Sequence, residues 1–107
     1  MLSKEQRIAL RSLGQQLPDL VILGKNGLTE SVSKQIDDNL NAYELIKIKV
    51  LPNANDDIFE YAESIENALD CEVVTVIGSK ILLYRKSDKK VNKHIALVRE
   101  TLKKAGK

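Results

Sequence analysis

Apolar residues recur along this chain with two periods, and the switches between them mark out eight elements. Leu10, Leu13 and Leu17 fall every three or four residues, in a segment opened by Ser3 with Gln6 three positions on. That is the spacing of a capping box, and it predicts a helix over residues 4–15, ended by Pro18. Lys4, Arg7 and Arg11 lie about one turn apart along another side of this helix. "DLVILG" then reads as a short buried strand ending at Gly24.

After "GKNG", Thr29 is placed to cap a helix with Glu30 in its first turn, and Leu28, Val32, Ile36 and Leu40 carry that helix to about Asn41. "YELIKIKV" changes the period to two: Ile46, Ile48 and Val50 share one face, and Lys47 and Lys49 the other. The pattern predicts a strand with one buried and one cationic face. Asn53 or Asn55 caps the next helix, with Asp56 and Asp57 complementing its dipole and Ile58, Ala62, Ile65 and Leu69 as its core stripe; Phe59 lies near that stripe. "EVVTVIG" and "KILLYR" are strands joined by a tight turn at Gly78-Ser79. Val91, Ile95, Val98 and Leu102 predict a last helix in a lysine-rich segment. Two strand–helix–strand units and a hairpin imply an α/β fold with a four-stranded mixed sheet covered by helices.

With 107 residues, 43% of them apolar and 30% charged, the chain has the material for one folded domain. Its net charge of +2 conceals a strong asymmetry. Residues 51–79 carry seven acids and no Lys or Arg, whereas residues 80–107 carry ten Lys or Arg against two acids. Such polarity favours an acidic or nucleic-acid partner, although basic tails are often simply solvated. No apolar run is long enough to span a bilayer, and the single Cys71 has no disulfide partner, so the expected location is the reducing cytoplasm.

Catalytic chemistry is poorly supplied. His94 stands alone in the basic segment, and Cys71 reads as a packed filler in acidic surroundings. The pairs Asp37-Asp38 and Asp56-Asp57 have no His or Cys to complete a metal site, so neither metal nor cofactor is expected. The glycine loop differs. A strand that ends in Gly24-Lys25-Asn26-Gly27 and opens into a helix puts bare N–H groups and a mobile cation where an anion is favoured. Gly-x-x-Gly is also compatible with a plain strand–helix turn. A P-loop needs four residues between its glycines, and a dinucleotide fingerprint needs a third glycine, so mononucleotide binding fits poorly. A clamp on a polynucleotide backbone fits the residue types better. Lys4, Arg7, Arg11, Lys34, Lys47 and Lys49 extend the candidate basic surface, with Thr29 beside the loop. Aromatic residues are scarce, which favours recognition of backbone and shape over base stacking.

"GKNGLT" (24–29), "ELIKIKV" (44–50) and "VIGSKILLYR" (76–85), in this order and spacing, together with "LSKEQRIALRSLGQQL" near the start, resemble the CRM domain family, in particular its stand-alone bacterial YhbY-type members. The resemblance covers about residues 1–86 and implies an α-β-α-β-α-β-β core similar to the C-terminal domain of bacterial translation initiation factor 3. It implies non-catalytic RNA binding, with rRNA in precursors of the large ribosomal subunit as the partner, through Gly24, Lys25, Asn26 and Gly27. Tyr43 stands where relatives often have histidine, and residues 87–107 form a basic helical extension beyond the shared core. A monomer with no small-molecule substrate is expected. Two other readings compete: a ribosome-associated protein adaptor using the acidic 56–72 face or the last helix, and, least favoured, a small phosphate-binding enzyme.

Overall fold

The computed structural model describes residues 1–106. The elements follow in the order α1 (Lys4–Gly14), β1 (Asp19–Leu23), α2 (Glu30–Tyr43), β2 (Leu45–Val50), α3 (Ile58–Leu69), β3 (Glu72–Ile77), β4 (Lys80–Tyr84) and α4 (Lys93–Ala105). The sheet order is β1-β2-β4-β3, with β1 parallel to β2 and β4 antiparallel to both β2 and β3. The expected mixed sheet is therefore present. Its order places the β3–β4 hairpin so that β4, the later strand, sits against β2.

Helices cover both faces. On one, α2 and α3 bury Ile36, Leu40, Tyr61, Ala62 and Ile65 against Ile46, Ile48, Ile81 and Leu83. On the other, α1 and α4 cover a smaller cluster of Leu10, Leu45, Val74, Leu82 and Val98. Cross-strand pairing sets which residues share this second face: Leu45 lies opposite Tyr84, and Lys47 opposite Leu82. The face of β2 expected to be cationic is thus apolar at one end, where Leu45 is fully buried, and becomes cationic from Lys47 onward. Alternation identified the side of the strand but not how far two helices would reach across it.

Local signals explain most boundaries. Ser3 and Gln6 form both bonds of the capping box, and Thr29 Oγ1 accepts from Val32 N at 3.2 Å. Two expectations are corrected. Neither Asn53 nor Asn55 caps α3; Asp57 holds that position without a side-chain cap bond, and the Asn55 amide donates instead to the Lys25 carbonyl at 2.9 Å. Phe59 does not belong to the core edge but is 63% exposed, and the aromatic ring that packs inside is Tyr61. Helical spacing accounts for this, since Tyr61 stands three and four residues from Ile58 and Ile65 while Phe59 is turned about 100° from Ile58.

The last helix begins at Lys93, so Val91 precedes it and is exposed, while Ile95 and Val98 are fully buried. The charged residues around it hold it in place. Arg99 donates to the wholly buried Glu44 carboxylate through Nε at 3.2 Å and Nη2 at 2.7 Å, and Ser87 N donates to the same Oε2 at 2.7 Å. Arg85, just after β4, reaches Asp37 Oδ1 at 2.8 Å, Asn41 Oδ1 at 2.9 Å and the Leu69 carbonyl at 2.9 Å, so it joins α2 to α3.

Candidate nucleic-acid interface

The strand β1 and the parallel β2 finish side by side, with Leu51 N donating to the Leu23 carbonyl at 2.8 Å. The chain then turns within four residues: Gly27 N donates to the Gly24 carbonyl at 3.0 Å, and Thr29 N to the Gly27 carbonyl at 3.1 Å. Lys25 and Asn26 occupy the exposed tip of this turn. With Val32 N taken by Thr29, the N–H groups of Glu30 and Ser31 are the first-turn donors that have no intrahelical acceptor. The helix dipole adds positive potential there, so an anion is favoured beside Lys25.

The two glycines have different roles. Gly27 has φ +66°, and a Cβ on it would sit 2.9 Å from Tyr61 Oη, so the fold itself demands glycine at this position. Gly24 is not in the left-handed region, and a Cβ there would meet only Leu51 Cδ1 at 3.5 Å. Folding therefore leaves Gly24 free to be alanine. What its bare backbone offers is close approach from outside.

The surroundings of the loop are electrically lopsided. On the α3 side, Asn26, Gly27 and Leu28 border a cleft of about 400 Å³ with Asn55, Asp56, Tyr61 and Ser64. Asp56, Asp57, Glu60 and Glu63 are exposed there, and they repel phosphate. On the opposite side lies the half of the second sheet face that α1 and α4 leave open. Lys49 has Ile22 and Lys80 as cross-strand partners, and Lys80 in turn has Ile77. This row ends on the turn at Gly78-Ser79, whose Ser79 carbonyl accepts from Val50 N at 2.8 Å beside the glycine loop. An anionic strand leaving the loop is attracted across this row and repelled by α3.

The expected basic residues divide accordingly. Lys25 and Lys49 lie at the loop end of the sheet, while Lys47, opposite Asp19 at the start of β1, stands further along β2 and is joined there by Arg11 of α1. Arg7 is committed elsewhere: it pairs with Glu72 and donates through Nη1 to the Val73 carbonyl at 2.7 Å, sealing the edge of β3 at the end away from the loop. Lys4, a turn earlier on α1, is exposed and stands at that same distant end. Lys34 is on α2, paired with Asp38 at 3.3 Å. Lys80 is a cation that sequence reasoning missed; its pairing with Lys49 depends on β4 lying against β2, which no local pattern reveals. It also pairs with Asp19. Tyr61 and Asn55, which brace the loop from behind, were missed for the same reason.

Groups suited to catalysis are otherwise engaged. His94 Nε2 lies 3.2 Å from the Leu45 carbonyl and its ring meets Tyr43 edge-on at 5.5 Å. Burial pushes the Cys71 thiol up to about 11, outweighing the opposing pull of Arg85. Among the described residues no group of three or more His, Cys, Asp or Glu side chains is placed to hold a metal ion, and no helix is long and apolar enough to cross a membrane.

Comparison with known proteins bears on this arrangement. The chain is 38% identical over 97 residues to the Bacillus subtilis protein named "Probable RNA-binding protein YqeI", covering 91% of this chain and 99% of that one. It is 34% identical over 88 residues to "Probable RNA-binding protein PA4753" of Pseudomonas aeruginosa, covering 82% and 85%. The solution structure of SAV1595 from Staphylococcus aureus, described as a candidate RNA-binding protein, superposes with a TM-score of 0.72 at 44% identity, covering 85% of this chain and 95% of that one. The CRS1 / YhbY (CRM) domain matches residues 2–85. The glycine loop, the alternating lysine strand and the hairpin all lie inside that match, and the chain belongs to the CRS1 / YhbY (CRM) domain family.

Proposed function

We propose that this protein binds RNA without catalysing a reaction, and that its RNA is rRNA in precursors of the large ribosomal subunit. It acts as a cytoplasmic monomer, with residues 1–86 as the binding unit and residues 87–107 as a docked extension. The names of its relatives support RNA as the partner. The observation that carries the reading is the GKNG turn: an exposed lysine and asparagine at an open helix N-terminus, beside a glycine whose missing side chain the fold does not require. Gly24, Lys25, Asn26, Gly27 and Thr29 form the phosphate clamp, and Lys49, Lys47 and Arg11 continue it over the sheet. Lys4, Arg7 and Lys34 contribute long-range attraction more than contact.

The test replaces Lys25 and Asn26 together by aspartate. Both side chains are exposed, and the bond from Asn55 goes to the Lys25 backbone carbonyl, so the turn and the overall stability survive. Like charges set against phosphate at close range cost several kcal/mol, so affinity for rRNA fragments falls by about a hundredfold or more, and sedimentation with ribosomal precursors is lost. Unchanged affinity in the doubly substituted protein would remove the loop from the interface.

The adaptor reading retains one observation in its favour, the exposed Phe59 on the acidic side of α3. Tight binding of rRNA fragments by the purified protein alone separates the two, because an adaptor would need its protein partner.

A further inference from the structure

Between the last turn of α1 and the open half of the sheet lies a second cleft, of about 230 Å³. Its existence traces to Gly14. A Cβ there would lie 2.7 Å from a Leu82 methyl, so the absence of a side chain lets α1 settle directly onto β4. One residue further on, Gln15 caps the helix, and its exposed side chain stands at the edge of the cleft. The floor left beneath is mainly apolar, Leu82 and Ile77 with Thr75 between them, and Ile77 is 48% exposed. The rim is cationic, made by Arg11, Lys47 and Lys80. Arg11 and Lys47 belong to none of the ion pairs among the described residues, and Lys80 shares its charge with Asp19.

Resting on the RNA-binding reading above, we infer that this cleft takes one unstacked nucleobase from a single-stranded segment whose phosphates run between the glycine loop and α1. A flat apolar floor ringed by three cations matches a nucleotide, which joins an aromatic ring to an anionic backbone. A duplex offers no ring to such a floor, because its bases are stacked inside. The guanidinium plane of Arg11 gives the base a stacking surface where the site has no aromatic side chain. The Gln15 amide, exposed at the rim, offers both donors and an acceptor to a base edge, and such a group accommodates any of the four bases. The cleft lies over β4 and β3, two to three strands from Gly24, which is about 10–15 Å and within reach of the same strand of RNA.

The test compares short oligoadenylate with an abasic ribose–phosphate polymer of equal length and charge, at one ionic strength. The base term is expected to make oligoadenylate bind about tenfold or more tightly. Ile77→Ser, a change at an exposed position that removes part of the floor, should bring oligoadenylate down toward the abasic polymer and leave the abasic affinity unaltered. An oligomer carrying 4-thiouridine should crosslink to the peptide containing Thr75 to Leu82. Equal affinity for the two polymers, or a crosslink confined to other peptides, overturns the base site while the backbone clamp stands. Failure of both polymers to bind would overturn the clamp and the base site together.

Discussion

At the scale of single residues, the two glycines of the loop permit a clean separation of folding from binding. Gly27→Ala forces a side chain into the left-handed region, which costs about 1–2 kcal/mol, and drives it against Tyr61 Oη; urea denaturation should show a loss of about 2 kcal/mol or more. Gly24→Ala, whose methyl would have Leu51 Cδ1 at 3.5 Å as its one neighbour, should leave the unfolding free energy in urea within about 0.5 kcal/mol of the original. On the proposed clamp the same substitution should weaken RNA binding, by adding bulk where the RNA backbone closes on the turn. Loss of stability in both variants would show that both glycines serve the turn alone. Cys71 gives a prediction about pH. Its pKa is raised from an ordinary value near 9 to about 11, so the folded state holds the proton more tightly than the unfolded chain. The stability this represents is complete below about pH 9 and is lost as pH rises toward 11. A chemical denaturation series should show that decline, flattened in Cys71→Ala, and alkylation of the thiol at pH 8 should track unfolding.

At the scale of elements, the last helix matters more than an appended extension would. Ile95 and Val98 are fully buried, and burying such side chains contributes about 1.5–3 kcal/mol each. Removing residues 88–107 also uncovers Leu10 and Leu82 and strands the buried Glu44 carboxylate without Arg99. Against a total of about 5–15 kcal/mol for a domain, that loss is severe. The truncated chain should show a strongly lowered thermal midpoint by circular dichroism; an unchanged midpoint would make α4 a true accessory. The sequence made its apolar stripe visible but not its importance, because the partners of that stripe lie on α1, β2 and β4, far away along the chain. The same distinction holds throughout. Elements with local causes were legible: the capping box at Ser3, the cap at Thr29, the alternation of β2, the Gly78-Ser79 turn. Contacts made by long side chains across the fold were not. Arg7 looked like a free surface cation and proves to bind the edge of β3. Asn55 looked like a cap and proves to brace the loop.

At the scale of the whole molecule, the sheet separates two electrical environments. The acidic segment 51–79 folds chiefly into α3 and its approach, on one side of the glycine loop, while Lys47, Lys49, Lys80 and Arg11 collect on the other face. A molecule with little net charge then still orients itself toward a polyanion. If four to six phosphates are engaged, log K against log[salt] should slope about −3 to −5, at roughly 0.7–0.9 per phosphate. A slope near zero would mean that the cationic face is not the contact. Charge reversal of Glu60 and Glu63 on α3 should leave the slope nearly unchanged, whereas Lys47→Ala with Lys49→Ala should reduce it by about one to two.

The smaller of the two apolar clusters joins Leu10 of α1 to Val98 of α4, and the Gln6 amide reaches the Leu102 carbonyl at 3.3 Å. During synthesis these partners are separated by about ninety residues, or roughly 5–20 s at ordinary translation rates. The layer of α2 and α3 can close on its face of the sheet, and α1 can settle on β2, β3 and β4, while α4 is still unmade. The side of Leu10 and Leu82 that Val98 covers, however, stays open for that interval. The nascent protein is therefore unfinished on one side, and the seam between its first helix and the sheet is the place that stays open to water, and to other unfinished chains, until α4 arrives.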